Sequence, residues 1–186
     1  MEPVEEKRSF WASVILASLI FGVIYFAMTI GTGYYVINNP PTGSGLGPSS
    51  IIGTFVCLIA AFGGMLAVWH YVQLYDVTIT LGKGAVIGVV TGIFIGILSF
   101  IFVHLWEYVD PNYTSRLMDT QIAMMNAKNH MSAQERQKIV DMMHSRGSMF
   151  KIIGSIFTTL GLGILNLITG MIGAKMFKGE KPEETF

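Results

Sequence analysis

SFWASVILASLIFGVIYFAMTIGTGYYVINNPPTGSGLGPSSIIGTFVCLIAAFGGMLAVWHYVQLY, residues 9–75, contains no Asp, Glu, Lys or Arg. No soluble core needs so long an uncharged run, because soluble chains carry roughly one charged residue in four. A single polar interruption, Asn38 to Ser50, holds three prolines and three glycines. Proline removes a backbone donor and pushes the residue before it into an extended conformation, so no helix continues through it. The stretch therefore reads as two membrane-spanning helices joined by a polar hairpin.

Two further apolar runs follow, and a helix needs roughly 20 apolar residues to cross about 30 Å of hydrocarbon. The expected spans are about residues 10–36, 51–75, 84–106 and 152–177, in an all-α polytopic membrane protein. Residues 1–186 are expected to form a single membrane domain, with an extramembrane segment at 107–151. The whole chain is 52% hydrophobic and only 13% charged, which fits that class. Its net charge of zero gives no footing for a nucleic-acid partner. The lone cysteine, Cys57, cannot form an intrachain disulfide. The opening residues are acidic before they are basic, and the apolar stretch after them outruns a signal-peptide core, so an uncleaved first span is expected. The Met-Glu start and the Lys-Pro-Glu-Glu-Thr-Phe ending lead us to expect no lipidation.

Aromatic residues mark the expected membrane boundaries: Phe10, Trp11, Tyr34, Tyr35, Trp69, Tyr71, Tyr75, Trp106 and Tyr108. Lys7 and Arg8 flank the first span, and the hairpin beyond it has no charge. Charges beside the first span weigh most, so both termini are expected in the cytoplasm.

Residues 107–151 are too long for a structureless connection. Asp110-Pro111-Asn112 reads as a turn. Thr114 or Ser115 then caps a helix to about Lys128, with Leu117, Met118, Ile122 and Met125 on one face. Ser132-Ala133-Gln134-Glu135 has the form of a capping box opening a second helix to about Ser145, which places Ile139, Met142 and Met143 together. Gly147-Ser148 is expected to break or bend the chain before the last span. The plain reading is an amphipathic helical pair lying on the bilayer or on the mouths of the spans. The sharper one is a methionine-rich docking face, since flexible thioethers adapt to varied partners. A copper site at Met142, Met143 and His144 is disfavoured, because metal-binding methionine tracts repeat a spacing and this one does not.

Gly84, Gly88, Gly92 and Gly96 recur every fourth residue of the third span. They align as one groove where a neighbouring backbone can approach closely, the packing mode that holds helices together in lipid. The partner is another span of the chain or a second copy. Ala60/Gly64 and Ser155/Thr159/Gly163 are the intrachain candidates, with Val89 and Ile93 expected to turn away. Asn166, the one strong polar group well inside the fourth span, reads as an interhelical hydrogen-bonding residue. His70 reads as interfacial.

Ionisable groups inside a membrane are functional suspects, and no expected span has one near its centre. His104 and Glu107, three residues apart on a helix, share a face where they could hold a metal or relay a proton. Two ligands do not make a site, and a boundary pair is the plainer reading. No catalytic residues and no cofactor are indicated: the chain lacks a P-loop, HExxH, CxxC and any serine–histidine–aspartate context.

Thr80-Leu81-Gly82-Lys83-Gly84 before the glycine-rich span, Asp110-Pro111-Asn112-Tyr113 after it, Met131-Ser132-Ala133-Gln134-Glu135 and the Lys-rich tail resemble a bacterial membrane family known as a domain of unknown function. The resemblance covers somewhat over half of the chain. It implies four spans, a helical extracytoplasmic segment between the third and fourth, and a bacterial inner membrane. It supplies no activity and no catalytic residues. The function expected is that of a non-enzymatic accessory or interaction protein, in contact with the lipid bilayer and with a homo-oligomeric or membrane-protein partner. The alternative is an oligomeric transporter or channel subunit, and a membrane enzyme comes third.

Overall fold

Hydrocarbon offers no partner for a backbone N–H or C=O, so each charge-free segment closes its hydrogen bonds within itself as a helix. The computed structural model describes residues 9–40, 48–127 and 133–184. The elements are α1 (Trp11–Asn38), α2 (Pro48–Tyr75), β1 (Val77–Ile79), α3 (Leu81–Val109), α4 (Tyr113–Ala127), α5 (Ala133–Met176) and β2 (Lys181–Glu184). Four of the helices are long and apolar enough to cross a membrane: α1, α2, α3 and the Lys151–Met176 part of α5. The chain is a multi-pass, all-α membrane protein.

The four spans form a ring in the order α1, α2, α5, α3, and α2 and α3 also touch across it. One buried cluster joins Val14, Val68, Tyr71, Val72, Val77 and Ile87 at the end where the strands lie. A second, farther along the bundle, joins Tyr25, Val56, Ala60, Ile95 and Leu162.

Two features differ from the sequence reading. Gly147-Ser148 does not interrupt the chain: α5 is one helix of 44 residues. A helical glycine costs about 1 kcal/mol against alanine, too little to end a hydrogen-bond ladder that continues on both sides without proline. From Ala133 to Lys151 the helix therefore projects about 27 Å beyond its membrane-spanning part.

The second difference is at the opposite end. The connection after α2 and the tail after α5 pair as a parallel two-stranded sheet, with Val77 opposite Lys181 and Ile79 opposite Glu184. Asp76 holds the junction. Its φ of 51° places a non-glycine residue in the left-handed region, which costs roughly 1–2 kcal/mol. Its carbonyl accepts from Lys181 N at 3.1 Å and its Oδ1 from Glu180 N at 3.0 Å. Thr78 Oγ1 donates to Gly179 O at 3.0 Å. Only glycine fits at 179, because a Cβ there would overlap the backbone of Asp76 and Val77.

Candidate functional site

The glycine ladder faces α5. A Cβ built on Gly84 would lie 2.6 Å from both Ala174 Cβ and the Gly170 carbonyl oxygen. One on Gly96 would lie 2.5 Å from Thr159 Oγ1. At Gly88 and Gly92 the overlap would be with the carbonyl oxygens of Asn166 and Leu162. Gly170 on α5 returns the approach, meeting the backbone of Gly84 and Gly88. Of the small residues named from sequence as candidate partners, Thr159 and Gly163 lie on this seam. Gly64 faces α5 from a different side, against Asn166 and Thr169. Val89 and Ile93 do not turn away: both side chains come within 3.5 Å of a Cβ built at Gly163.

Asn166 sits where the two contacts on α5 meet. It is fully buried. Its Oδ1 accepts from Gly64 N at 2.6 Å and its Nδ2 donates to Leu162 O at 2.9 Å. Thr169 Oγ1 donates to the Ala61 carbonyl. Ser18 Oγ reaches Thr91 O at 3.3 Å, and Ser13 Oγ shares a hydrogen bond with His70 Nδ1 at 2.9 Å. His70 is thus held by α1 as well as by its boundary position. Among the described residues, no buried side-chain nitrogen or oxygen lacks a hydrogen-bond partner. Such groups leave no stranded donor or acceptor for a substrate or an ion to satisfy.

Lys83 falls one residue before the span expected at 84–106. It lies in the first turn of α3, where Thr80 Oγ1 caps it by accepting from Lys83 N at 3.1 Å. The residue is only 8% exposed, and its ammonium lies 4.9 Å from the centre of the buried Tyr71 ring. Ring and cation attract through the aromatic quadrupole. A Lys-Gly pair at a span boundary gave no sign of this, because Tyr71 lies on another helix.

At the α4 end the polar groups gather into a latch. Tyr34 Oη donates to Asp110 Oδ2 at 2.6 Å and Trp106 Nε1 donates to Tyr34 Oη at 3.3 Å. Arg116 forms an ion pair with the same carboxylate oxygen and lies over the Tyr34 ring at 5.7 Å. Asp110 Oδ1 accepts from Asn112 N at 3.2 Å, closing the turn that launches α4. Tyr113 then packs on Tyr34 with ring centres 5.1 Å apart, in a seat that a side chain at Gly33 would fill. The Tyr34 hydrogen bond, reinforced by the Arg116 charge, holds the Asp110 carboxyl below its ordinary range. Burial pushes the Tyr113 hydroxyl up.

Because the Asp110 pKa is lowered by folding, its contribution is complete above the unfolded value and is lost as pH falls through the folded one. Nitroxides at Asn39 and Gln121, both exposed, should keep one separation from pH 8 to about pH 5 and diverge only below about pH 4. Asp110→Asn should widen the separation at every pH. A distance that changes between pH 6 and 8 would assign the docking of α4 to another group.

His104 and Glu107 are not hydrogen-bonded to each other. His104 Nδ1 bonds back to Phe100 O at 3.2 Å. Glu107 instead accepts from Thr114 Oγ1 at 2.8 Å and from Lys151 Nζ at 2.9 Å, tying α3 to α4 and α5. Among the described residues, no group of three or more His, Cys, Asp or Glu is placed to hold a metal ion. Met118 and Ile122 on α4 are half-buried and Met142 on α5 is exposed. The side chains of Met125, Ile139 and Met143, and the Ser132 capping box, lie outside the described residues.

Fold and site define a four-span helical membrane protein, closed by a glycine seam. The chain belongs to the family described as Protein of unknown function (DUF4199), whose model matches residues 17–178. No curated protein and no solved structure matches it.

Proposed function

We propose that this chain is a non-enzymatic accessory or interaction protein of a bacterial cytoplasmic membrane, folded as one unit with both termini in the cytoplasm. The observation that carries the reading is the seam. With α3 and α5 in backbone contact along Gly84, Gly88, Gly92 and Gly96, a permeation path between them has no width. The paired Ser, Thr and Asn groups around that seam suit static packing better than passage of a solute. The part that offers itself to a partner is the projecting crown of α4 and the first half of α5. There Met118, Ile122 and Met142 present an adaptable apolar face, to which the sequence pattern adds Met125, Ile139 and Met143. Basic residues are balanced, six on each face, so the cytoplasmic assignment of the termini rests on Lys7 and Arg8 beside the first span, whose far side, Asn38 to Ser50, has no charge.

The crown and the bundle make separable predictions. A photoreactive residue at Met142 or Gln121 should crosslink a discrete membrane partner in intact cells, and one at the lipid-exposed Leu19 should not. Purified protein in liposomes should add no ion or solute leak. In a Cys57→Ala background, Lys138→Cys should react with an impermeant thiol reagent in intact cells and Lys178→Cys should not. A specific solute flux would establish the oligomeric transporter instead, and the reverse labelling pattern would invert the orientation.

A further inference from the structure

Beside the seam, toward the α4 end, lies a groove of about 320 Å³ between α3 and α5. Ile93, Ile97 and Phe100 wall it on one side, and Ile152, Ile156 and Leu160 on the other. Ser155 also lines it but donates its hydroxyl to Lys151 O at 2.8 Å, within its own helix. The glycine ladder stops at Gly96, and the next residues along this flank, Ile97 and Phe100, carry bulk. Both walls belong to the membrane-spanning segments Leu81–Val109 and Lys151–Met176, so the groove opens to hydrocarbon.

Two further observations say what it takes. The first is its length. Along α3 the lining from Ile93, near the middle of the helix, to Phe100 rises about 10 Å, and His104 and Glu107 lie one to two turns beyond it. One leaflet's hydrocarbon is about 15 Å thick, with several ångströms of headgroup zone beyond. The groove thus lies within the hydrocarbon of one leaflet, with His104 and Lys151 beyond its outer end toward the headgroups. The second is the chemistry of its mouth. His104 stands one turn above Phe100, with the two rings 4.3 Å apart. Opposite, the Lys151 ammonium bonds Glu107, but its side chain is 45% exposed and the ammonium has three donors to share.

The geometry points to a binding site for one glycerophospholipid of the leaflet at the α4 end. An acyl chain lies along the isoleucine walls, and the phosphodiester is held at the mouth by Lys151 and His104. An ammonium with an imidazole beside it at headgroup depth suits a lipid phosphate, and the hydrocarbon walls distinguish a lipid from free phosphate.

Delipidated protein titrated with dioleoyl phosphatidylglycerol and followed by native mass spectrometry should take up one molecule with high affinity. Dioleoylglycerol, with the same chains and no phosphate, should bind about tenfold more weakly or worse, the loss of a charge-assisted contact. Ile156→Trp, which fills the groove, should abolish the single high-affinity adduct. Ile168→Trp, exposed elsewhere on α5, should leave it intact. The double variant Lys151→Gln, His104→Gln should reduce phosphatidylglycerol to the level of dioleoylglycerol. Glu107→Gln breaks the same ion pair but keeps the lysine, and should retain binding. Thermal unfolding of each variant separates loss of the ligand from loss of the fold. Equal binding of the two lipids would overturn the assignment, as would wild-type affinity in Ile156→Trp. A dimer that disappears in Ile156→Trp would overturn it too, by showing a second copy seated in the groove.

Discussion

Gly88→Leu and Gly92→Leu should each destabilise the folded protein by about 3 kcal/mol or more, while membrane insertion is unchanged. The substituted side chain would meet a carbonyl oxygen of α5, Asn166 at one position and Leu162 at the other. Backbone cannot rotate out of the way as the end of a long side chain can. The helices must separate, and every close contact along the seam weakens with them. Leucine is at home in lipid, so the damage is confined to association. Val89 and Ile93 are unsuitable controls because both face Gly163. Val86→Leu and Ile101→Leu, at exposed positions of the same helix, should behave like wild type. Unfolding in mixed detergent, read beside crosslinking of differently tagged copies, checks the expectation. Variants as stable as their controls would show that α5 is not seated on the ladder. Loss of crosslinking with stability unchanged would place the ladder between two copies.

The second large effect is expected at Asn166. Its Oδ1 lies 2.6 Å from Gly64 N, closer than any methyl group can come to a nitrogen. Asn166→Leu therefore loses the hydrogen bond and also pushes α2 from α5, which should cost roughly 2–3 kcal/mol. Asn166→Ala removes the bond without the push. Interhelical hydrogen bonds in membranes average only about 0.6 kcal/mol, so this variant should lose about 1–2 kcal/mol, most of it from the vacated space. The order wild type, Ala, Leu is the measurable content. A leucine variant more stable than the alanine one would mean that the site has room and is governed by apolar burial.

Hydropathy made the four spans readable, because a segment in hydrocarbon has no other way to satisfy its backbone. The expected 51–75 and the observed Pro48–Tyr75 end at the same residue. The glycine period likewise marked one face of α3 before its partner was known. What sequence did not yield depends on residues far apart in the chain. Tyr34 meets Asp110 across 76 positions, and no periodicity links them; only the Asp-Pro-Asn turn was visible. Lys83 over Tyr71 is hidden for the same reason. The Val77–Ile79 strand has three residues, too few to show alternation, and its partner follows a whole span later. At Gly147-Ser148 the local signal was real but weak, about 1 kcal/mol against a cooperative ladder. The groove between α3 and α5 had no signature at all, since isoleucine is ordinary in any membrane helix.

The seat that Asn166 fills on α2 also has a clock in it. Gly64 leaves the ribosome 102 residues ahead of the side chain that will accept from its amide. At about 5–20 residues per second, synthesis separates the two by roughly 5–20 s. Helices form in microseconds or less, so α1, α2 and α3 are complete long before α5 is made. From the completion of α3 at Val109 until Asn166 is made, roughly 3–11 s, the spans of the nascent protein number three, with Gly84 to Gly96 turned toward lipid or toward the insertion machinery. Final closure of the bundle is thus a late, single docking event whose timing is set by translation.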